Sequence, residues 1–162
     1  MSDILIRPAT PEDTAAVDAL LQRTYPRLLK ADYPPSVLVA AIPAMTRARP
    51  ELMASGTYYL AEENGAVLGA GGWTRNRKRR GWGDVRHVVT DDRQLRRGIG
   101  RALMEHSFVE AKAAGLGALE CWATLTAVPF YEAVGFRKIG PMVVQLQGAI
   151  DFPAMRMERA LT

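Results

Sequence analysis

The chain opens on a short apolar run, Ile4-Leu5-Ile6 ahead of Arg7, which reads as a first strand over residues 4–7. A helical period follows. Thr10-Pro11-Glu12-Asp13 supplies a cap, a first-turn proline and an acid able to reach back, and Ala16, Val17, Leu20 and Leu21 recur behind it at helical spacing. Pro26, Pro34 and Pro35 are expected to break the next region, ahead of a second helix over 36–45. Strands are predicted over 57–62, 66–73 and 83–89, the first two joined by the turn Glu63-Asn64-Gly65. From Ile99 the spacing is helical again. Ile99, Ala102, Leu103, Val109 and Ala113 fall on or beside one stripe, Arg101, Glu105 and Lys112 point elsewhere, and Gly115 is the expected stop. A strand over 118–122, a helix around Phe130-Tyr131 and two last strands near 137–146 and 153–159 complete the order. Hairpins followed by strand-helix-strand-helix make a mixed α/β sheet with helices on both faces.

Composition narrows the class without choosing a function. The 162 residues suit one domain spanning 1–162 with a real core. No apolar run is long enough for a membrane span and Met1-Ser2-Asp3-Ile4 begins no signal peptide, so a soluble, cytoplasmic protein is expected. Cys121 is the only cysteine, which excludes an intrachain disulfide, and its place inside a predicted strand marks it as a buried, inert thiol. His87 and His106 stand far apart and unaccompanied, so no metal site is expected.

The chemistry concentrates where a strand passes into a helix, at Arg96-Arg97-Gly98-Ile99-Gly100-Arg101-Ala102-Leu103-Met104. Glycines let the backbone turn tightly and approach a ligand, and the first amides of a helix attract an anion. A dinucleotide loop would need glycine where Leu103 stands, and a Walker loop would end in Gly-Lys-Ser or Gly-Lys-Thr; neither fits. Taken alone, the segment also reads as an ordinary turn into a surface helix.

With its surroundings the segment resembles the acyl-CoA-binding motif of the GCN5-related N-acetyltransferases, the GNAT family, written Gln/Arg-x-x-Gly-x-Gly/Ala. Leu95-Arg96-Arg97-Gly98-Ile99-Gly100 matches that frame except at Leu95. Thr124 to Phe136, with Ala127, Phe130-Tyr131 and Gly135-Phe136, is similar to the family's later signature, and Tyr59 to Trp73 looks like its central hairpin. The resemblance implies a twisted, mostly antiparallel sheet of six or seven strands that splays between the fourth and fifth, and acetyl-CoA as cosubstrate for direct attack by an amine. It assigns the pyrophosphate to the backbone from Arg96 through Arg97, Gly98, Ile99, Gly100 and Arg101 to Ala102, with one of the three arginines touching phosphate. It assigns the pantetheine arm to Val88, Val89 and Thr90, with an amide near Val89 polarising the thioester.

For the departing thiolate the resemblance implies Tyr131 as general acid. Thr124 stands seven residues earlier, where the family often has a cofactor-binding asparagine. Asp84, fourteen residues before Gly98, and Glu120, mid-strand between Leu119 and Cys121, are the candidates to take the amine's proton. His87 could titrate near neutrality, but strict alternation puts it on the face opposite Asp84. Tyr25, Tyr33 and the proline-broken segment are implied as the acceptor wall, and residues 148–153 are expected to shape that pocket or a homodimer contact. The basic run Arg75 to Arg80 is an expected solvated hairpin tip, with too few aromatics nearby for a nucleic-acid platform. The leading function is acetyl transfer to a primary amine of a small molecule or peptide; an acyl-CoA-binding module without catalysis, and then a basic nucleic-acid-binding protein, are the alternatives.

Overall fold

In the computed structural model, which describes residues 3–95, 97–146 and 150–162, the chain alternates strands and helices. The order is β1 (Leu5–Pro8), α1 (Thr14–Leu29), α2 (Pro35–Met45), α3 (Pro50–Met53), β2 (Tyr58–Glu63), β3 (Ala66–Arg75), β4 (Trp82–Thr90), α4 (Ile99–Ala113), β5 (Ala118–Thr124), α5 (Val128–Ala133), β6 (Arg137–Leu146) and β7 (Ile150–Ala160). The strands form one sheet in the order β1-β2-β3-β4-β5-β7-β6, in which the last strand of the sequence lies between the fifth and sixth. All neighbours are antiparallel except β4 and β5. That parallel contact is short: it joins Trp82 to Ala118, Gly83 to Leu119 and Asp84 to Glu120, and then the strands part.

Both faces are covered. Leu103, Met104, Leu119, Cys121, Tyr131, Phe136 and Met157 pack under α4 and α5, and Val17, Leu20, Leu21, Met53, Tyr58, Leu60 and Val89 pack under α1 and α3. A third cluster, Leu29, Tyr33, Ala41 and Phe152, ties the turn between α1 and α2 to β7. The β2–β3 turn puts Asn64 at φ 51° and Gly65 at φ 80°, the left-handed pair that a two-residue hairpin of right-handed twist requires. No helix among the described residues is long and apolar enough to cross a membrane.

Local expectations were corrected at three places. Pro26 does not break α1, because Leu20, Leu21, Thr24 and Leu29 on either side of it are all buried and dock both halves of the helix. The buried stripe of α4 is Ile99, Leu103, Met104, Ser107 and Ala111; Val109, at 67 % exposure, and Ala113 face out, since the helix packs on the sheet through a narrower face than its apolar letters suggest. The short helix α3 had no signal beyond Pro50 at its start.

The start of the first helical region is built as its letters require. Asp13 accepts from the Thr10 amide at 2.8 Å and from both terminal nitrogens of Arg7 at 2.8 and 3.0 Å. The Arg7 guanidinium, above all, holds the Asp13 carboxyl down from 3.8 to about 2. A carboxyl depressed on folding adds stability above its unfolded value, and that stability is lost as pH falls from about 3.8 through about 2. Asp13→Asn is therefore expected to cost about 1 kcal/mol at neutral pH, the usual worth of a helix cap. In denaturant unfolding, the gap between variant and parent should close across that acid window.

Candidate active site

The site begins at the junction of β4 and α4. Gly98 takes φ 75°, a left-handed conformation that costs any residue with a Cβ, and a Cβ built there would meet nothing within 4 Å. The first helical hydrogen bond beyond it runs from the Ala102 amide to the Gly98 carbonyl at 2.9 Å. The amides of Ile99, Gly100 and Arg101 precede that bond, so they are the helix's unpaired donors. At Gly100 the neighbours are close: a Cβ would come within 2.9 Å of Phe130 Cε1 and 3.2 Å of Thr90 Oγ1. These residues line a cavity of about 210 Å³ together with Leu95, Arg101, Ala133 and Val134. A small concavity at unpaired amides, with one glycine turned left-handed and the other close against an aromatic, has the geometry to accept an anion such as a phosphate group.

The arginines of the loop have separate fates. Arg97 is turned away, paired with Glu63 at 2.6 Å and with Gln94 at 2.9 Å. Arg101 lines the cavity while donating to the Ala133 carbonyl at 3.0 Å. Arg96 lies outside the described residues.

Thr90, Leu95 and Phe130 are shared with a second, larger cleft of about 530 Å³ on the splayed side of the sheet. Its floor is the edge of β4 beyond Asp84, which has no strand partner on that side. Two carbonyls there accept phenols instead: His87 from Tyr58 at 2.7 Å and Val88 from Tyr25 at 3.3 Å. The register explains why. Gly72 pairs with Arg86 but Ala70 pairs with Val89, so β4 carries one extra residue in a bulge, and His87 sits in it at φ 40°. The bulge breaks the alternation expected from the letters. Val85 and Val88, three apart, both pack toward the cluster under α4, and His87 lines the same cleft as Asp84. Burial, then the charges of Arg49 and Arg86, lower its imidazole to about 4, so His87 is neutral at physiological pH.

Across the cleft, Tyr131 is 6 % exposed and lies against Cys121. Burial, reinforced by that thiol, lifts the phenol well above the usual value of 10 and keeps it protonated. The same environment pushes Cys121 up to about 12, which leaves it a thiol rather than a nucleophile. Thr124 lines the cleft with its hydroxyl oxygen accepting from the Ala127 amide at 3.2 Å, a cap on the turn that leads into α5.

The two candidate proton acceptors are brought side by side, since Asp84 and Glu120 are register partners at the last paired position before the splay. Each is already engaged. Asp84 accepts from Asn76 Nδ2 at 2.9 Å and faces Arg86 at 3.5 Å. Glu120 meets Arg156 at 2.7 Å and belongs to a network in which Glu158 also binds Arg156 at 3.1 Å and Arg79 at 3.0 Å.

The acceptor wall is only partly as expected. Tyr25 lines the cleft, but Tyr33 does not: it stacks on Phe152 at 4.4 Å and its hydroxyl bridges the Pro153 carbonyl and the Leu125 amide at 2.6 and 2.9 Å. Phe152, from the closing segment expected to shape this pocket, lines the cleft, and residues 148 and 149 of that segment lie outside the described ones. In the basic run, Arg79 stacks on Trp82 at 3.4 Å and Arg75 donates to Ala114, while Arg77, Lys78 and Arg80 are exposed at the hairpin tip. Leu28 lines the cleft from the proline-broken segment implied as the acceptor wall, and Met45 and Arg49, beyond it, line the cleft as well.

Residues 35–159 match the family model described as the acetyltransferase (GNAT) domain. No curated protein matches the chain by sequence. Among solved structures, a GCN5-related N-acetyltransferase from Rhodopseudomonas palustris superposes with TM-score 0.80 at 22 % identity, over 99 % of this chain and 97 % of its own. The PaiA N-acetyltransferase from Thermoplasma acidophilum, solved with coenzyme A, does so at 0.75 and 14 %, over 98 % and 99 %. An N-acetylglutamate synthase from Neisseria gonorrhoeae, solved with coenzyme A and N-acetyl-glutamate, gives 0.64 and 17 %, over 100 % of this chain and 36 % of that one.

Proposed function

The chain belongs to the GNAT family of acetyltransferases, and on that premise we propose that it moves an acetyl group from acetyl-CoA to the primary amine of a small molecule or peptide. One observation carries the reading: the cavity at Gly98–Gly100 adjoins the cleft along the edge of β4, sharing Thr90, Leu95 and Phe130 with it. A phosphate seat continuous with a bare strand edge suits a ligand with a phosphate head and an amide-bearing arm.

In this reading the amides of Ile99, Gly100 and Arg101 hold the pyrophosphate, and Arg101 rather than Arg97 is the arginine available to it. Val88, Val89 and Thr90 offer their backbone to the pantetheine arm as a partner strand would, and the Thr124 hydroxyl donates to it while its oxygen keeps the helix cap. Acetyl-CoA supplies the activated acetyl thioester. Tyr131 carries the proton that the departing sulfur needs. Asp84 takes the proton of the amine, while Glu120, clamped by Arg156, fixes the strand beneath it. A reducing, intracellular setting suits the lone Cys121 thiol.

The test is a panel of primary amines assayed for release of free CoA thiol from acetyl-CoA. Turnover with at least one amine is expected, and Asp84→Asn should lower kcat by about 100-fold, the low end of proton-transfer catalysis, with acetyl-CoA affinity retained. Saturable acetyl-CoA binding with no thiol release from any amine would point instead to a binding module.

A further inference from the structure

The cleft that would take the amine has a charge pattern of its own. Arg49, Asp84, Arg86 and Glu120 line it. Glu120 is neutralised by Arg156, and Asp84 and Arg86 face each other at 3.5 Å. The Arg49 guanidinium differs: among the described residues it has neither a hydrogen bond nor an ion pair. It stands at the N-terminal boundary of α3, close enough for its charge to add to the effect of burial on His87. The wall around it is apolar, with Leu28, Met45, Leu146 and Phe152.

Arg49 lines the cleft while being itself exposed; when a ligand fills the cleft the guanidinium loses part of its water, and an anion on the ligand offsets that loss. The guanidinium's planar fork suits a carboxylate. At the seam of the sheet, Asp84 offers the opposite charge to an ammonium. Resting on the acetyl-transfer reading, we infer that the acceptor is a free amino acid with an aliphatic or aromatic side chain, whose carboxylate pairs with Arg49 and whose amino group meets Asp84. The amine nitrogen gains a bond to the acetyl carbon as the carbon–sulfur bond breaks. Sulfur takes a proton by way of Tyr131, and the surplus proton of the ammonium leaves through Asp84 to solvent.

Calorimetry on the full chain with L-leucine and L-phenylalanine, set against L-leucinamide, L-phenylalaninamide and 2-phenylethylamine, reads the carboxylate directly. The same five compounds are then assayed with acetyl-CoA for free thiol. The acids should be favoured at least about tenfold in both affinity and kcat/KM, the low end for a charged hydrogen-bonding partner. In Arg49→Gln the ratio of acid to amide should fall toward one, and Arg49→Lys should recover part of it. No binding of either acid, equal affinity for acids and amides, or a preference that survives Arg49→Gln overturns the assignment. Amides bound more tightly than acids overturn it in favour of a peptide N-terminus. Acids that bind through Arg49 without any thiol release leave this site standing and remove the acetyl-transfer reading instead.

Discussion

Gly100→Asp is expected to weaken acetyl-CoA binding by at least about 100-fold, roughly 2.7 kcal/mol, while the chain still folds. Two effects act together. Even a Cβ at this position would lie 2.9 Å from Phe130 Cε1, 3.1 Å from its Cζ and 3.2 Å from Thr90 Oγ1, crowding two of the residues that the two cavities share. The carboxylate then puts a negative charge among the amides that would otherwise receive a phosphate. Gly100→Ala separates the terms, since it carries the steric part alone. Gly98→Asp tests the charge from the other side: there is open space for a side chain, but φ 75° imposes the left-handed strain of about 1–2 kcal/mol. Titration calorimetry gives the affinities, and a circular-dichroism melt shows that each variant is folded. An unchanged Kd in folded Gly100→Asp would sink the pyrophosphate assignment.

The second large effect belongs to Tyr131. Tyr131→Phe should lower kcat by about 100- to 10,000-fold, the range of a positioned acid, with acetyl-CoA affinity unchanged. The variant keeps the ring contacts with Phe130 and Phe136 and gives up only the hydroxyl beside Cys121. From the letters alone, loss of the phenol would be expected to move the alkaline limb of the rate profile. Burial changes that expectation. The phenol is raised well above 10, so its own titration lies beyond the assay range, and the rate should fall evenly across it. A parental kcat in Tyr131→Phe returns this residue to packing.

Much of this site could be read before any coordinates. Seven strands follow from apolar runs and turn letters, and the left-handed turn at Gly98 follows from a glycine ahead of a helix, because each is a local demand on the backbone. What escaped depends on partners far away in the chain. The extra residue of β4 is visible only against its neighbour: nothing in Arg86-His87-Val88-Val89 announces that His87 drops out of register, and so its alternation was misplaced. Pro26 stays helical because of what its neighbours bury, and Val109 faces solvent because of where α4 meets the sheet. Tyr33 is absent from the wall for the same reason, since it stacks on Phe152 where the turn ahead of α2 docks on β7, while Phe152 itself lines the cleft. Arg49 escaped because a lone arginine before a proline has no spacing to betray it.

The placement of β7 between β5 and β6 bears on how the molecule is assembled. Ile150–Ala160 follows both of its neighbours in the chain, yet it supplies the antiparallel partner of each over nearly its whole length. Until it emerges, β6 has nothing to pair with and the far edge of β5, which carries Glu120 and Cys121, is bare. The half of the site that holds Tyr131 and Thr124 thus rests on a strand edge that is closed only after β6 has been made.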